Sequence, residues 1–467
     1  MNVHLKHGLI TIGIGLLIWF IPVPAGLHPQ AWQLLAIFVA TIVGFILQPL
    51  PIGAVAFIAL AVAATLKVLT PHQVLAGFGD DTIWLIVSAF LFAKGFIKTG
   101  LGRRIAYRIM GAIGDSSLKL GYALVLSDLV IAPATPSNTA RAGGILYPIV
   151  RSLASAFDSE PGDSSRRIGA YLMTTTFQGN CITSAMFLTA VAPNSIVAAM
   201  ALQTANVHLS WGTWALAASL PGLISLALTP WLLYKLYPPE IDKTPEAKEI
   251  ARTELANMGP VSRGELIVAG VFLLALGLWT TSGITGLSAT VVAMIAVGIM
   301  LVGQAIDWKD VLEEKGAWDT LVWMGALISL ASALTHLGLI SWFSKLVAAQ
   351  LTGIPWMLAL AVLLLAYMYS HYAFASLSAH VTAMYAAFLA VAVGVGAPPF
   401  LAAMGLGVIS ALFGSLTHFA TGPAPIYFGA GYIPQGTWWR LGFIMSVVNL
   451  IVFIGIGGLW WKLIGLW

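Results

Sequence analysis

Apolar runs of near-spanning length, each closed by a short polar or glycine-containing break, recur from one end of the chain to the other. The hydrocarbon core of a bilayer takes roughly 20 helical residues to cross. By that measure the pattern predicts helices at about 8–21, 31–48, 53–70, 82–98, 169–200, 210–236, 264–282, 286–305, 319–336, 399–430 and 439–465. Two further apolar stretches, 118–150 and 354–395, do not read as simple spans. The first is broken by Pro133, Pro136 and a polar cluster, and the second is long enough for two passes.

Composition turns this pattern into a class. Of 467 residues, 59% are hydrophobic and 9% charged, against roughly 25% charged in a soluble domain. With 22 Lys+Arg and 18 Asp+Glu the chain could not cover a soluble surface of its size, and the mean hydropathy is +0.91. An all-α polytopic membrane protein with about 11 transmembrane helices is the class this implies. The net charge of +4 and the lack of a long basic tract exclude nucleic acid as a partner. The lone Cys181 excludes an intrachain disulfide framework. The apolar run from Gly8 to Ile21 reads as a first membrane helix rather than a cleaved signal, because no small-residue cleavage site comes after it.

Positive charge orients the spans. Lys98, Arg103, Arg104, Arg108 and Lys119 precede the 118–150 segment, and Arg151, Arg166 and Arg167 come after it. Both flanks are expected in the cytoplasm, so the segment should be a re-entrant hairpin. The polar stretch 238–263 is expected there too, as a linker between two halves. Those halves repeat: Asp81-Thr82 and Asp319-Thr320 each open a helix, at an offset of 238 residues, and each is succeeded by a broken hairpin and a proline-interrupted helix. The predicted organisation is an N-terminal helix (1–30), a first repeat (31–237) with hairpin 118–150, and a second repeat (264–467) with hairpin 354–395. An odd number of intervening spans inverts the second copy, and inverted repeats with interrupted helices mark secondary transporters.

The chemistry concentrates where the chain should unwind. Pro133 and Pro136 disfavour helix, after which Ser137 or Asn138 can cap a new one and leave backbone N–H groups at mid-membrane depth. Ser376 to Thr382 offers a similar turn. The interrupted helices are predicted to restart at Asn194 and Ala424, just after Pro193 and Pro423. Four such starts at roughly +0.5 each give about +2, which suits a small, doubly negative ligand. Arg141 adds a full charge that costs at least about 2.5–3.5 kcal/mol at the bilayer centre, so it should face either the ligand or Asp128. His380 and His418 are candidates to act likewise, whereas Lys94, His336 and His371 are explained by interhelical hydrogen bonds or snorkelling. Trp438, Trp439, Trp460 and Trp461 are expected to be interfacial anchors. No nucleophile elbow, HExxH pair or Walker loop appears, so neither an enzyme nor an ATP-driven pump is expected. No cofactor or metal is implied.

The stretch Ala134-Thr135-Pro136-Ser137-Asn138-Thr139-Ala140-Arg141-Ala142-Gly143-Gly144 resembles the first Ser-Asn-Thr motif of the divalent anion:sodium symporter family. Phe374-Ala375-Ser376-Leu377-Ser378-Ala379-His380 and Ser415-Leu416-Thr417-His418-Phe419-Ala420-Thr421-Gly422-Pro423 are similar to its C-terminal motifs. The similarity is greatest to the branch of bacterial citrate/succinate and tartrate/succinate antiporters and plastid 2-oxoglutarate/malate translocators, and it runs over nearly the whole chain. It implies a homodimer in the lipid of a bacterial inner membrane, with a fixed scaffold and a transport domain that slides as an elevator. It also implies that di- or tricarboxylates bind at Ser137, Asn138, Thr139, Pro193, Asn194, Ser378, His380, Thr417, His418, Thr421, Gly422 and Pro423. Where sodium-coupled members repeat Ser-Asn-Thr, this chain has Ser378-Ala379-His380, and Arg141 stands just after the first motif. Sodium-independent exchange, with Arg141 neutralising the substrate, is therefore expected. The rivals are a sodium-coupled symporter on the same fold and, more remotely, an anion channel.

Overall fold

The computed structural model describes residues 3–339, 342, 343, 346 and 353–467. Among these residues the fold is helical throughout, apart from one isolated bridge between Ser116 and Lys243. Helices α1 (Val3–Phe20), α2 (Pro29–Leu47), α3 (Ile52–Thr65) and α4 (Asp81–Thr99) open the chain. An amphipathic helix, α5 (Leu101–Ile113), leads to α6 (Ser117–Ile131) and α7 (Tyr147–Ala156), the latter preceded by a π-helical stretch over Thr139–Leu146. Then come α8 (Gly169–Met186), α9 (Ala192–Ala205), α10 (Trp211–Leu236), α11 (Glu246–Asn257), α12 (Arg263–Thr280), α13 (Ala289–Val302) and α14 (Lys315–His336). The last part holds α15 (Trp356–Ser370), α16 (Leu377–Gly394), α17 (Pro399–Leu412), the short α18 (Ala424–Gly429) and α19 (Gln435–Leu450), which continues to Leu463. Among the described residues nine helices are long and apolar enough to cross a bilayer, and this is a multi-pass membrane protein.

Local chemistry sets the helix ends. Asp80 caps α4 by accepting from the Thr82 N–H at 2.9 Å, and Gly100, at φ 80°, ends it in a conformation that glycine adopts without strain. The second Asp-Thr pair behaves differently from expectation: α14 begins at Lys315, so Asp319 lies a full turn inside it. The expected 169–200 helix divides after Met186, and its second half restarts at Ala192 rather than Asn194. Proline at the second helical position surrenders an N–H that has no intrahelical acceptor anyway, so the break falls ahead of Pro193, not at it. The expected 399–430 helix likewise stops at Leu412, and the chain is irregular from Leu416 to Pro423.

The 117–156 segment folds back on itself. Arg141 reaches Asp128, 13 residues away, at 2.7 Å, where a continuous helix would separate the two by about 20 Å. Both its ends meet the linker: Ser117 N–H donates to the Asp242 carbonyl at 3.0 Å, and the Glu240 and Ile241 N–H groups donate to Arg166 and Arg167 at 3.0 Å. At the end of α7 the Arg151 guanidinium binds Glu160 at 2.6 Å and holds that carboxyl below its ordinary range. The 356–394 segment also reverses, since His371 and His380 touch across its turn. Linker helix α11 lays Ala247 and Ala251 against α5. Arg104 fastens α5 to the start of α12 through a buried ion pair with Glu265 at 2.5 Å. Cys181 is a buried, free thiol within α8.

Candidate functional site

Two unwound stretches and two hairpin turns converge. In the first hairpin α6 gives way to a 3-10 turn at Ala132–Ala134, then to extended backbone at Thr135. Ser137 caps the next turn, accepting from the Ala140 N–H at 3.1 Å. Asn138 points away from its own helix and donates through Nδ2 to Thr421 Oγ1 at 2.8 Å. Thr139 lies against Gly422 so closely that a Cβ on that glycine would sit 2.0 Å from the Thr139 hydroxyl. Tyr427 of α18 donates to the Ala142 carbonyl at 2.9 Å. Asn138, Thr139 and Ala142 thus join the first hairpin to the second break and the helix after it, across a sequence separation of 283 residues at Asn138.

Arg141 is reassigned by its surroundings. It is fully buried, and all five of its N–H donors are used within the protein. Nε donates to Asp128 at 2.7 Å, Nη1 to the carbonyls of Thr135 and Ala190 at 2.7 and 2.9 Å, and Nη2 to the hydroxyls of Thr183 and Ser184 at 3.4 and 2.9 Å. Asp128 also accepts from Asn180 Nδ2 and the Thr183 hydroxyl. The pair contributes no net charge, so the expected neutralisation of a ligand by Arg141 gives way to a structural part. It binds both arms of the hairpin to the first break at 187–191. In that break Thr189 donates to the Pro133 carbonyl at 2.6 Å. Asn194 spans it, with Nδ2 donating to Ser184 and Phe187 carbonyls at 2.7 and 2.8 Å. Pro193 is buried beside it.

The second hairpin is built from rings. Ser376 caps α16 by accepting from the Ala379 N–H at 3.3 Å, and Ser378 is half-buried on the first turn. His380 is buried between Phe374 and Phe413, with ring centroids 4.4 and 4.5 Å away. Both its nitrogens face protein partners, Ser370 at 3.0 Å and His371 at 2.9 Å. His418 is turned towards α19, where its Nδ1 accepts from Trp439 Nε1 at 3.0 Å. Of the tryptophans expected as anchors, Trp438 is buried against Phe177, and Trp460 and Trp461 donate to the Leu216 and Ala217 carbonyls at 3.0 and 2.8 Å. Buried polar atoms are normally paired, yet Thr417 Oγ1, Ser415 Oγ, Thr382 Oγ1, Gln178 Oε1 and Asn194 Oδ1 have no partner.

A family model described as "Sodium:sulfate symporter transmembrane region" matches residues 3–467. The chain belongs to that family, the divalent anion:sodium symporters. It is 55% identical over 460 residues to "Putative malate transporter YflS" of Bacillus subtilis (strain 168), covering 98% of this chain and 96% of that one. It is 49% identical over 466 residues to "Dicarboxylate transporter 1, chloroplastic" of Spinacia oleracea, covering 99% and 82%. It is 38% identical over 478 residues to "L-tartrate/succinate antiporter" of Shigella sonnei (strain Ss046), covering 97% of each. The crystal structure of the Alcanivorax borkumensis YdaH transporter shares the fold, with a TM-score of 0.58 over 99% of this chain and 97% of that one at 14% identity.

In this symporter-family chain a cavity of about 940 Å³ opens next to the first break. Leu188 lines it together with Asp81, His208, Trp211 and Trp279. The two indoles stack at 5.2 Å, and Trp211 Nε1 donates to Thr189 at 3.0 Å. Gln178, Thr382 and Ser415 are not among the expected site residues: Gln178 lies in a polar stretch of α8 with Thr174, Thr175, Thr176 and Asn180, while Thr382 and Ser415 fall within the turn and the motif read from the sequence. The signal available for Gln178 was a polar side chain inside a predicted span.

Proposed function

We propose that the chain exchanges small dicarboxylates or tricarboxylates, such as malate, succinate, 2-oxoglutarate, citrate or tartrate, across a bacterial inner membrane without sodium. The observation that carries this reading is the junction of Asn138 and Thr139 with Thr421 and Gly422. It sits among buried hydroxyls that lack partners, Ser415 and Thr417. Carboxylate oxygens are the natural acceptors for such groups, and capped helix starts favour an anion. The names of the relatives agree with that substrate class. Binding would fall to Ser137, Asn138, Thr139, Ser378, Thr417, Thr421, Gly422, Pro423, Pro193 and Asn194.

Alternating access would come from the two hairpins and two breaks moving as one body, elevator-fashion, against α1–α4 and α12–α14. The two halves would be inverted copies, two protomers would pair, and the cavity beside Trp211 would serve as a vestibule. Exchange is obligatory if the empty site cannot cross, and with Asp128 already compensating Arg141 no sodium is needed to balance that pair. A sodium-coupled symport reading has one observation in its favour: Asn194 Oδ1 and Gln178 Oε1 are buried oxygens without donors. Counterflow in proteoliposomes separates the two. Labelled succinate should enter vesicles only when they hold internal dicarboxylate, at equal rates in sodium and potassium. Entry into empty vesicles driven by a sodium gradient would establish symport instead.

A further inference from the structure

The second hairpin reproduces the first at a fixed offset of 239 residues, down to its caps. The 3-10 turns Ala132–Ala134 and His371–Ala373 correspond, as do the capping residues Ser137 and Ser376. In this register Arg141 matches His380, Asp128 matches Tyr367, and Ala132 matches His371. The helix breaks correspond at an offset of 230, Pro193 with Pro423 and Ala190 with Ala420. In the first unit Arg141 reaches the break by itself, donating to the Ala190 carbonyl at 2.9 Å. An imidazole has a shorter reach than a guanidinium on three methylenes. In the second unit the Ala420 carbonyl is met by His371 Nε2 at 2.9 Å, while His371 Nδ1 lies 2.9 Å from His380 Nδ1.

We propose that His371 is a positioning residue that completes the reach of His380, so that two rings together meet the second break at Ala420 as the single Arg141 side chain meets the first at Ala190. The inference rests on the exchange reading above. Hydrogen positions are set by the partners. A carbonyl only accepts, so His371 carries its proton on Nε2. Its Nδ1 is then the acceptor for His380 Nδ1–H, and His380 Nε2 accepts from the Ser370 hydroxyl at 3.0 Å. The donors run one way, from Ser370 through His380 and His371 to the carbonyl of Ala420. The Ser370 hydroxyl has two competing acceptors, the Tyr367 carbonyl at 3.0 Å and, more weakly, Met384 Sδ at 3.6 Å.

The surroundings suit uncharged rings. Phe413 stacks on both, at 4.0 and 4.5 Å, and Tyr367 stands 4.8 Å from His380 in the place that Asp128 takes beside Arg141. Among the described residues no Asp, Glu, Lys or Arg bonds to either histidine. The first clamp is therefore an ion pair and the second its neutral counterpart, made by swapping the carboxylate for a phenol and adding a ring at the position of Ala132.

Counterflow kinetics of full-length variants, normalised to monodisperse protein, test the clamp. His371→Phe keeps the ring stack and removes both nitrogens. It should raise the half-saturating dicarboxylate concentration about tenfold, the equivalent of one lost hydrogen bond in a preorganised site. His371→Gln keeps a donor and an acceptor and should stay within about threefold of wild type. Wild-type behaviour of His371→Phe, or equal impairment by both substitutions, would overturn the proposal. Should His371→Phe not fold, ¹⁵N-histidine spectra of wild type against His371→Gln decide. One Nε2–H and one Nδ1–H neutral ring are expected, and a doubly protonated ring sinks the relay. If the wild type exchanges no dicarboxylate or tricarboxylate, the transport reading fails while the tautomer result still stands.

Discussion

Gly422 has no room for a methyl group, because the Thr139 hydroxyl lies where that group would go. Gly422→Ala should therefore push the first hairpin off the second break and raise the half-saturating substrate concentration at least tenfold in counterflow. Adding Thr139→Ala should recover part of the loss. Next to it, Asn138 and Thr421 share a single buried hydrogen bond. Asn138→Ala and Thr421→Val should each weaken substrate affinity by about 1–1.5 kcal/mol, but together by little more than either alone. Additive effects in that double-mutant cycle would show that the bond does not join them functionally. At this scale the sequence was informative about identity and poor about partners. Ser137, Asn138 and Thr139 stand out because a polar run inside an apolar segment is costly in a bilayer. That Asn138 meets Thr421, or that His418 turns to Trp439, depends on contacts spanning the whole chain, and no spacing encodes them.

Between helices, the structure depends on stitches across places where helix is interrupted. Arg141 and Asp128 tie two hairpin arms and a break into one unit with no water-facing surface. Removing one partner of such a pair leaves a bare buried charge and costs about 3–5 kcal/mol, whereas removing both can be nearly neutral. Arg141→Ala should accordingly lower the thermal stability of the purified protein sharply. Arg141→Ala with Asp128→Asn should restore most of it while exchange stays slow, as the break is no longer held. Element existence was legible in the apolar periodicity, including the folding back of 118–150, which charge on its flanks foretold. Break positions were less so. Pro193 suggested an interruption at itself, but proline fits the first turn of a helix, so the unwinding falls upstream, at 187–191, whereas Pro423 closes the second break (416–423) and the helix restarts at Ala424 as expected.

For the molecule as a whole, two clamps of different chemistry hold two otherwise similar units, one ionic and one neutral. Neither leaves a free cation waiting for a substrate, so the ligand would be bound by capped backbone and hydroxyls rather than by a fixed countercharge. Membership of the symporter family gives the fold, but sodium dependence does not come with it automatically. Replacing all sodium by potassium should leave counterflow unchanged, and a drop of more than about tenfold would return the chain to the coupled class. One more feature bears on how such movement could be watched. The only thiol of the chain, on Cys181, is sealed inside α8. Maleimides applied to the native fold should therefore leave the parent protein unlabelled, and any cysteine engineered at the vestibule or at the hairpin tips would report by itself. Nature has supplied a ready single-label background for testing whether the hairpins move, with nothing to strip out first.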